Sequence, residues 1–592
     1  MRVGEFDAGE FVCKLRGFLR EHGTTQPIMK TAPNTYLWLA AALLAALTPM
    51  PAAAAEAAKF PPVQPAAMQA WQDKRFGMFI HWGPVSLTAH EIGWSRGTQT
   101  PIEVYDNLYK QFNPTLFNAD EWVKVAKDAG MKYIVLTTKH HDGFCLWDTK
   151  LTDYNIMNGP FKRDVVKELA AACHKGGIAF GVYYSVCDWH HPDFPLTSPG
   201  GSVKRATSDL DAYNKYLLGQ IRELITNYGP LITIWNDVPQ MFQGRGVKTI
   251  EMVRALQPDI TINNRSGDGG DYETPEQQIG GFNMTRPWES CMTVSAHNAW
   301  AWGGAKDGVK PLADCLKMLV SGAGGDGNVL LNVGPRPDGV IDPAQSGRLK
   351  EVGEWLAKYG ESIYATRGGP FKPGKWGAST RQGKRIYVHA YQFDGDSLEL
   401  PAISATITAA HVLTGGTVEF HQSDAGITLS VPAASHAAID TLIALDVDRP
   451  ALDIAPVAVA RKSGSLANGA HATASNVFQK QAGYGADKAI DDDLETRWAT
   501  DAGTRQAWLE VDLGKPQTFS KVAIHEWEGA PKRIQKFEVQ FKDGADWKTI
   551  FAGTTVGPGF NRAFPPVTAR VLRLNILDAK DGPTLDEFEV LK

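Results

Sequence analysis

In the first half of the chain, six apolar, β-branched or aromatic runs carry residues at or near one end that a packed interior does not need. His81-Trp82 follow Phe79-Ile80, His140-His141-Asp142 follow Leu136-Thr137-Thr138-Lys139, and Tyr183-Tyr184 sit in a third run. Trp235-Asn236-Asp237 close a fourth, Asn263-Asn264-Arg265 a fifth, and Trp288-Glu289 open a sixth. Histidine and arginine fix hydroxyl groups, aromatic faces carry a sugar ring, and carboxylates serve as nucleophile or acid. If the carboxyl ends of these runs open on one face, the groups converge on a mouth suited to a polyhydroxylated ring. Metal chemistry has less support. No HxH or HExxH motif occurs, and adjacent strand residues point to opposite faces, which makes His140-His141 and His190-His191 poor joint ligands.

The elements that position these groups alternate. Strand-like runs at Gly77–His81, Tyr133–Thr138, Ala179–Ser185, Ile232–Asn236, Ile260–Asn264 and Asn328–Val333 are separated by helical stretches. These stretches include Asp120–Gly130, Val165–Gly176, Leu210–Tyr228, Thr249–Gln257 and Leu312–Val320. Alternation over roughly 300 residues, with no glycine fingerprint after the first strand, predicts an α/β catalytic domain of the (β/α)8 barrel type over 60–367. Two all-β sandwich domains are expected to follow, at 368–448 and 467–592, joined by a Pro- and Ser-bearing linker at 449–466.

Composition narrows the partners. The 592 residues are 43% apolar and 21% charged, and 60 lysines and arginines against 65 acidic residues leave a net charge of −5. That is enough apolar material for packed cores, and no basic surplus exists to neutralise nucleic-acid phosphates. Seventeen tryptophans add stacking faces of the kind sugars use. Residues 1–55 read as an upstream extension plus a leader. Lys30 precedes the apolar stretch Tyr36–Leu47, and Pro51 with Ala52–Ala55 supplies a cleavage pattern, so the natural start is expected at Met29. Export to the periplasm or the extracellular space follows, with no stable membrane span, because a dozen apolar residues are too few for a bilayer. Beyond this leader, Cys145, Cys173, Cys187, Cys291 and Cys315 are odd in number and irregular in spacing, as buried free thiols would be.

The motifs together closely resemble the α-L-fucosidases of glycoside hydrolase family 29. Phe76-Gly77-Met78-Phe79-Ile80-His81-Trp82-Gly83, Thr138-Lys139-His140-His141-Asp142-Gly143-Phe144 and Trp235-Asn236-Asp237 carry the likeness. It continues through Trp288-Glu289-Ser290-Cys291 and Asn328-Val329-Leu330-Leu331-Asn332-Val333-Gly334-Pro335 and covers about 66–447. The resemblance implies an exo-acting retaining hydrolase of fucosylated glycans that needs no cofactor for catalysis, with Asp237 as nucleophile. It leaves the acid/base between Glu276, favoured because the loop after the fifth strand can fold over the mouth and meets the family's Thr-x-Glu pattern, and Glu289, on the strand itself, with Glu273 third. It also implies fucose contacts from His81, Trp94, His140, His141, Tyr184, Trp235, Arg265 and Trp300. One departure stands out. The glutamate usually placed before Trp94 is Gly93 here, with Glu91 two residues earlier. That substitution keeps an α-L-galactoside open as an alternative substrate, and a glycan-binding barrel without turnover is the alternative of a different class.

From Ala467, the runs Ala486-Asp487-Lys488-Ala489-Ile490-Asp491-Asp492-Asp493, Thr496-Arg497-Trp498 and Trp508-Leu509-Glu510-Val511-Asp512-Leu513-Gly514 resemble a discoidin, or coagulation factor 5/8 type C, domain. This is the fold of family 32 carbohydrate-binding modules. The resemblance implies a structural calcium held by Asp491, Asp493 and Thr496 with Glu587 or Glu589. It also places Trp498 and Trp508 in the core.

Overall fold

The computed structural model describes residues 60–592 apart from 200–202, 240–241, 460–462, 495, 528–531 and 558. The leader read in residues 29–55 lies outside the described residues. The first domain is a parallel sheet of seven strands: β1 (Phe76–Ile80), β2 (Tyr133–Lys139), β3 (Ala179–Ser185), β4 (Thr233–Asp237), β5 (Thr261–Ile262), β6 (Glu289–Thr293) and β7 (Asn328–Val333). Their order is β5-β4-β3-β2-β1-β7-β6. Helices Ala119–Asp128, Val165–Gly176, Leu210–Asn227, Gly246–Leu256 and Leu312–Gly324 form crossovers, and Pro343–Tyr359 follows β7. Several start on side-chain caps: Asn118 accepts from the amides of Asp120 and Glu121, and Asp209 from those of Asp211 and Ala212.

The gap between β5 and β6 is closed by residues 272–276, which pair in parallel fashion with both neighbours. Tyr272 bridges Asn263, Glu273 bridges Trp288, and Glu276 bridges Cys291. The Glu289 amide donates to Glu273 O (2.9 Å) and the Cys291 amide to Pro275 O (3.0 Å). This irregular eighth stave completes the (β/α)8 barrel and ends at Glu276. Its start is anchored by Asp271, which takes two hydrogen bonds from the buried Arg254 (2.9 and 2.7 Å) and one from the Ile262 amide (2.8 Å). The segment after β5 that carries Glu276 is therefore a structural stave rather than a free loop.

Strands covered on both faces bury every residue, as in β1 and β2. Outside the barrel, Met78, Ile80, Ile134, Leu136, Val182 and Leu331 pack against the helices. Inside it, Phe79, Tyr133, Tyr183, Trp235, Tyr272, Cys291 and Leu330 form an aromatic core with Trp71. Gly77 is required there, because a Cβ would lie 2.4 Å from the Tyr133 ring.

Behind the barrel, a five-stranded antiparallel sheet (367–368 to 441–447) faces a three-stranded one (397–400, 419–423, 426–430) across Ile386, Val388, Leu398, Ile427, Leu429 and Ile443. Residues 471–591 build a second β domain around Leu509, Val511, Phe537, Leu572, Leu574 and Phe588. All five described cysteines are free and buried. Among the described residues, no helix is long and apolar enough to cross a membrane.

Candidate active site

The carboxyl ends of the staves enclose a cavity of about 410 Å³ lined by Phe79, His81, Trp94, His140, His141, Tyr183, Trp235, Asp237, Arg265, Glu276, Cys291 and Trp300. Asp237 is the last residue of β4. The Tyr183 hydroxyl donates to its Oδ2 (2.8 Å) and Arg265 Nη1 to its Oδ1 (2.9 Å). Burial alone would raise the Asp237 pKa. The Arg265 guanidinium and the two hydrogen bonds outweigh it and hold the carboxyl below its ordinary range. The same Nη1 donates to Glu276 Oε2 (2.8 Å). Laid end to end, those two contacts put the Asp237 and Glu276 oxygens no more than 5.7 Å apart. The Asp237 side chain is 15% exposed and that of Glu276 41%, so the first lies on the floor and the second at the rim.

The three histidines are buried and neutral. Burial pushes His81 down to about 3 and His141 to about 4, and burial with its two histidine neighbours lowers His140. Their tautomers follow from their partners. The Asn332 amide nitrogen donates to Trp300 O (2.7 Å), which turns Asn332 Oδ1 to His81 Nδ1 (2.6 Å) and makes that nitrogen the proton carrier. Ser185 donates to Cys187 O (2.7 Å) and so accepts from His141 Nδ1 (2.7 Å). In both rings Nε2 is then an acceptor, and that of His141 stands 3.8 Å from Asp237 Oδ2, where a donor hydroxyl of a sugar fits. Trp235 forms part of the floor, its ring stacked on Tyr183 (5.7 Å) and under the Arg265 guanidinium (4.9 Å). Trp300 tilts against His81 (4.9 Å), and Trp94, 44% exposed, stands at the mouth beside His141 and Trp189.

Several sequence readings need correction. Tyr184 is not in the site. It faces the helix layer, where its hydroxyl donates to Gln220 Oε1 (2.9 Å), and Tyr183 is the tyrosine that reaches Asp237. His140 and His141 both line the cavity, their rings 3.9 Å apart, because they lie past the end of β2 and strand alternation no longer governs them. Glu289 is fully buried and does not line the cavity. Glu91 turns away from it and accepts from the amides of Trp300 (2.8 Å), Ala301 (3.0 Å) and Ile92 (2.9 Å). Gly93 has φ +66°, and a Cβ there would lie 2.7 Å from His140 Nδ1, a buried atom with no hydrogen-bond partner among the described residues. No side chain could follow the family's path at this position without moving the loop. Phe79, Cys291, Ser185 and Asn332 were not expected at the site. Asn332 and Ser185 sit in the strand-end runs, which was the available signal.

In the C-terminal domain, Thr496 Oγ1 lies 2.9 Å from both oxygens of Asp491, 3.3 Å from Lys488 O and 3.2 Å from Asp493 O. Glu587 Oε2 is buried without a hydrogen-bond partner among the described residues. Burial and then the Asp491 charge push the Glu587 carboxyl up to about 8. Glu589 points instead at His525 Nε2 (3.0 Å), and Asp493 offers its carbonyl to this cluster. This set of carbonyl, hydroxyl and carboxylate oxygens fits a hard cation, although Lys488 Nζ now sits 3.1 Å from Asp491. Among the described residues, no group of three or more His, Cys, Asp or Glu side chains is arranged to hold a metal. Trp498 is buried as expected, whereas Trp508 is half-buried, on a sheet face beside Arg573 (5.1 Å).

A (β/α)8 barrel whose mouth sets two carboxylates among histidines and aromatic faces defines a glycoside hydrolase. The family model for alpha-L-fucosidase matches residues 46–361, and the chain belongs to that family, glycoside hydrolase family 29. A model of the F5/8 type C domain matches residues 471–587. Human plasma alpha-L-fucosidase is 29% identical over 361 residues, 54% of this chain and 75% of that protein. Among solved structures, alpha-L-fucosidase isoenzyme 1 from Paenibacillus thiaminolyticus is 32% identical with a TM-score of 0.60, covering 64% of this chain and 99% of that one. A GH29 alpha-L-fucosidase from Bacteroides thetaiotaomicron, trapped as a covalent intermediate in complex with 2-fluoro-fucosyl fluoride, is 28% identical with a TM-score of 0.58 over 65% of this chain and 97% of that one.

Proposed function

We propose that the chain removes terminal α-L-fucose from glycans with retention of configuration, through a covalent fucosyl ester on Asp237 and with Glu276 as acid/base. The observation that carries this reading is the single Arg265 nitrogen shared by both carboxylates, which keeps their oxygens within 5.7 Å. Retaining hydrolases hold the pair at about 5–5.5 Å, whereas inverting ones leave about 6.5–9.5 Å for a water. The covalent intermediate trapped in the Bacteroides relative supports the same route.

In the first step an Asp237 oxygen bonds to the anomeric carbon. The glycosidic C–O bond breaks, and its electron pair stays on the leaving oxygen, which takes a proton from Glu276. Once Asp237 is an ester, Arg265 faces Glu276 alone and stabilises the carboxylate form. That carboxylate removes a proton from water, the water oxygen bonds to the anomeric carbon, and the Asp237 carboxylate leaves. Neutral His81 and His141 accept hydrogen bonds from sugar hydroxyls, and Phe79, Trp235 and Trp300 supply the apolar faces. The test is proton NMR of the first sugar anomer released from an aryl α-L-fucoside. The α anomer supports the reading, and initial release of the β anomer contradicts it.

The Gly93 departure supports one alternative substrate, an α-L-galactoside, and relative kcat/KM on the two aryl glycosides decides between them. We further propose that the oxygen cluster of Lys488, Asp491, Asp493, Thr496 and Glu587 holds a structural calcium, and that the leader exports the protein. The cation would tie the 487–496 turn to the last strand and play no part in hydrolysis.

A further inference from the structure

A carboxyl sits inside the barrel that the proposed chemistry does not use. Along β6 the inward positions include Glu289 and Cys291. Cys291 lines the cavity, and Glu289 lies one layer deeper, with no exposure to solvent. It receives a hydrogen bond from Trp235 Nε1 (3.2 Å) and another from the Tyr133 hydroxyl. Tyr133 is itself held from below, by the Asn328 side chain and by close packing on Gly77. No cation pairs with Glu289 among the described residues. The titratable groups facing it are Tyr133, Tyr272 and Cys291. A lone carboxyl in such surroundings is costly to bury, so an apolar side chain would stabilise the barrel better unless the carboxyl has a task.

We infer that Glu289 is a positioning residue that fixes the indole of Trp235 beneath the sugar and, through the indole face, the guanidinium of Arg265. The chain of contacts is short. Among the described residues Trp235 Nε1 has this one acceptor; its ring stacks on Tyr183 at 20° and lies 4.9 Å from the Arg265 guanidinium, and Tyr183 and Arg265 hold both oxygens of Asp237. Without the acceptor, the indole N–H would be buried and unpaired, and the ring could regain a hydrogen bond only by turning. Such a turn would displace Arg265 and, with it, the spacing of Asp237 and Glu276. Glu289 is not placed to deliver a proton to a leaving group, because it lies below the cavity floor that Trp235 and Cys291 help to form. Burial raises its pKa to about 7, consistent with a largely apolar setting.

This inference rests on the fucosidase reading, and the experiment separates the two. Full-length wild type, Glu289→Gln, Glu289→Leu and Tyr133→Phe are assayed on two aryl α-L-fucosides, one with a good leaving group and one with a poor one, with and without azide. Glu289→Gln, which keeps an acceptor for the indole, is expected to stay within about fivefold of wild type. Glu289→Leu is expected to lose about 100-fold in kcat/KM by the same factor on both substrates and to show no response to azide. Tyr133→Phe, the smallest change, is expected to fall between them and carries the test if Glu289→Leu does not fold. A loss confined to the poor leaving group and restored by azide would make Glu289 a proton donor and overturn the inference. Wild-type kinetics in both Glu289→Leu and Tyr133→Phe would overturn it as well. An inert wild type would instead overturn the fucosidase reading itself.

Discussion

Replacing Glu91 with alanine should weaken sugar binding while sparing the chemistry. Glu91 is half-buried, and its carboxylate clamps the segment that carries Trp300 by accepting from the amides of Trp300 (2.8 Å) and Ala301 (3.0 Å). Hydrogen bonds to a charged group contribute about 1.5–3 kcal/mol each, so losing both would cost the segment roughly 3–6 kcal/mol if nothing else held it. One tether survives, from Asn332 to Trp300 O (2.7 Å), and water can reach part of the vacated space. About 1.5–2 kcal/mol of the loss should therefore appear in binding, a rise of roughly 10–30-fold in KM. Asp237, Glu276 and Arg265 make no contact with Glu91, so kcat should fall by less than about threefold. Initial rates on an aryl α-L-fucoside, with calorimetric Kd values for a fucose-like inhibitor, measure both quantities. Unchanged KM and Kd in a folded Glu91→Ala protein would refute the reasoning, as would a collapse of kcat at constant KM.

Other expectations follow from the same geometry. Tyr183→Phe removes a donor from Asp237 and should lower kcat/KM by about 10–100-fold, whereas Tyr184→Phe, which removes a hydroxyl bonded to Gln220 and keeps the ring, should leave kinetics unchanged; steady-state rates check both. The Glu289 carboxyl titrates near 7 rather than at its ordinary 4.5, so between those values the folded protein holds a proton that the unfolded chain has lost. Stability should therefore fall as pH rises through that window, by about 3 kcal/mol from this group, and Glu289→Gln should remove that part of the slope. Urea unfolding of both proteins at pH 5 and pH 8 tests this, and parallel behaviour would contradict it. Added calcium should raise the unfolding temperature of the C-terminal domain, and Glu587→Gln should abolish the effect; a calcium response that persists in Glu587→Gln would remove Glu587 from the site.

The positions of His81 and Asp237 were legible in the sequence because each closes an apolar run with a polar side chain, and a parallel barrel sends all such ends to one face. The choice between Tyr183 and Tyr184 was not. In β3 both faces are buried after the first residue, so the polar-apolar alternation that would give the phase of the pleat is missing. Strand alternation failed at His140-His141 for a related reason: the strand ends at Lys139, after a register shift between Thr137 and Lys139, and both rings line the cavity that the sequence assigned them to. Residues 272–276 read as a loop because Glu273, Thr274, Pro275 and Glu276 lack any β pattern, and their backbone pairing is to segments outside their own run. Loop reach and the Thr-x-Glu pattern favoured Glu276 over Glu289 without separating them by depth. One ends that stave at the rim, and the other points into the barrel interior, a difference of depth that a single sequence does not carry. Glu587 and Glu589 likewise share one side of the last strand, and position along it places the first by Asp491 and the second by His525.

The central claim is that Asp237 and Glu276 form the reacting pair. It is tested most directly by assaying Asp237→Ala and Glu276→Ala on an activated aryl α-L-fucoside in the presence of azide. Asp237→Ala is expected to be inactive without azide and, where azide revives it, to yield the fucosyl azide of inverted β configuration. Glu276→Ala is expected to be revived to give the azide of retained α configuration. Full activity of Asp237→Ala, or an impaired Glu276→Ala that azide does not touch, would contradict it.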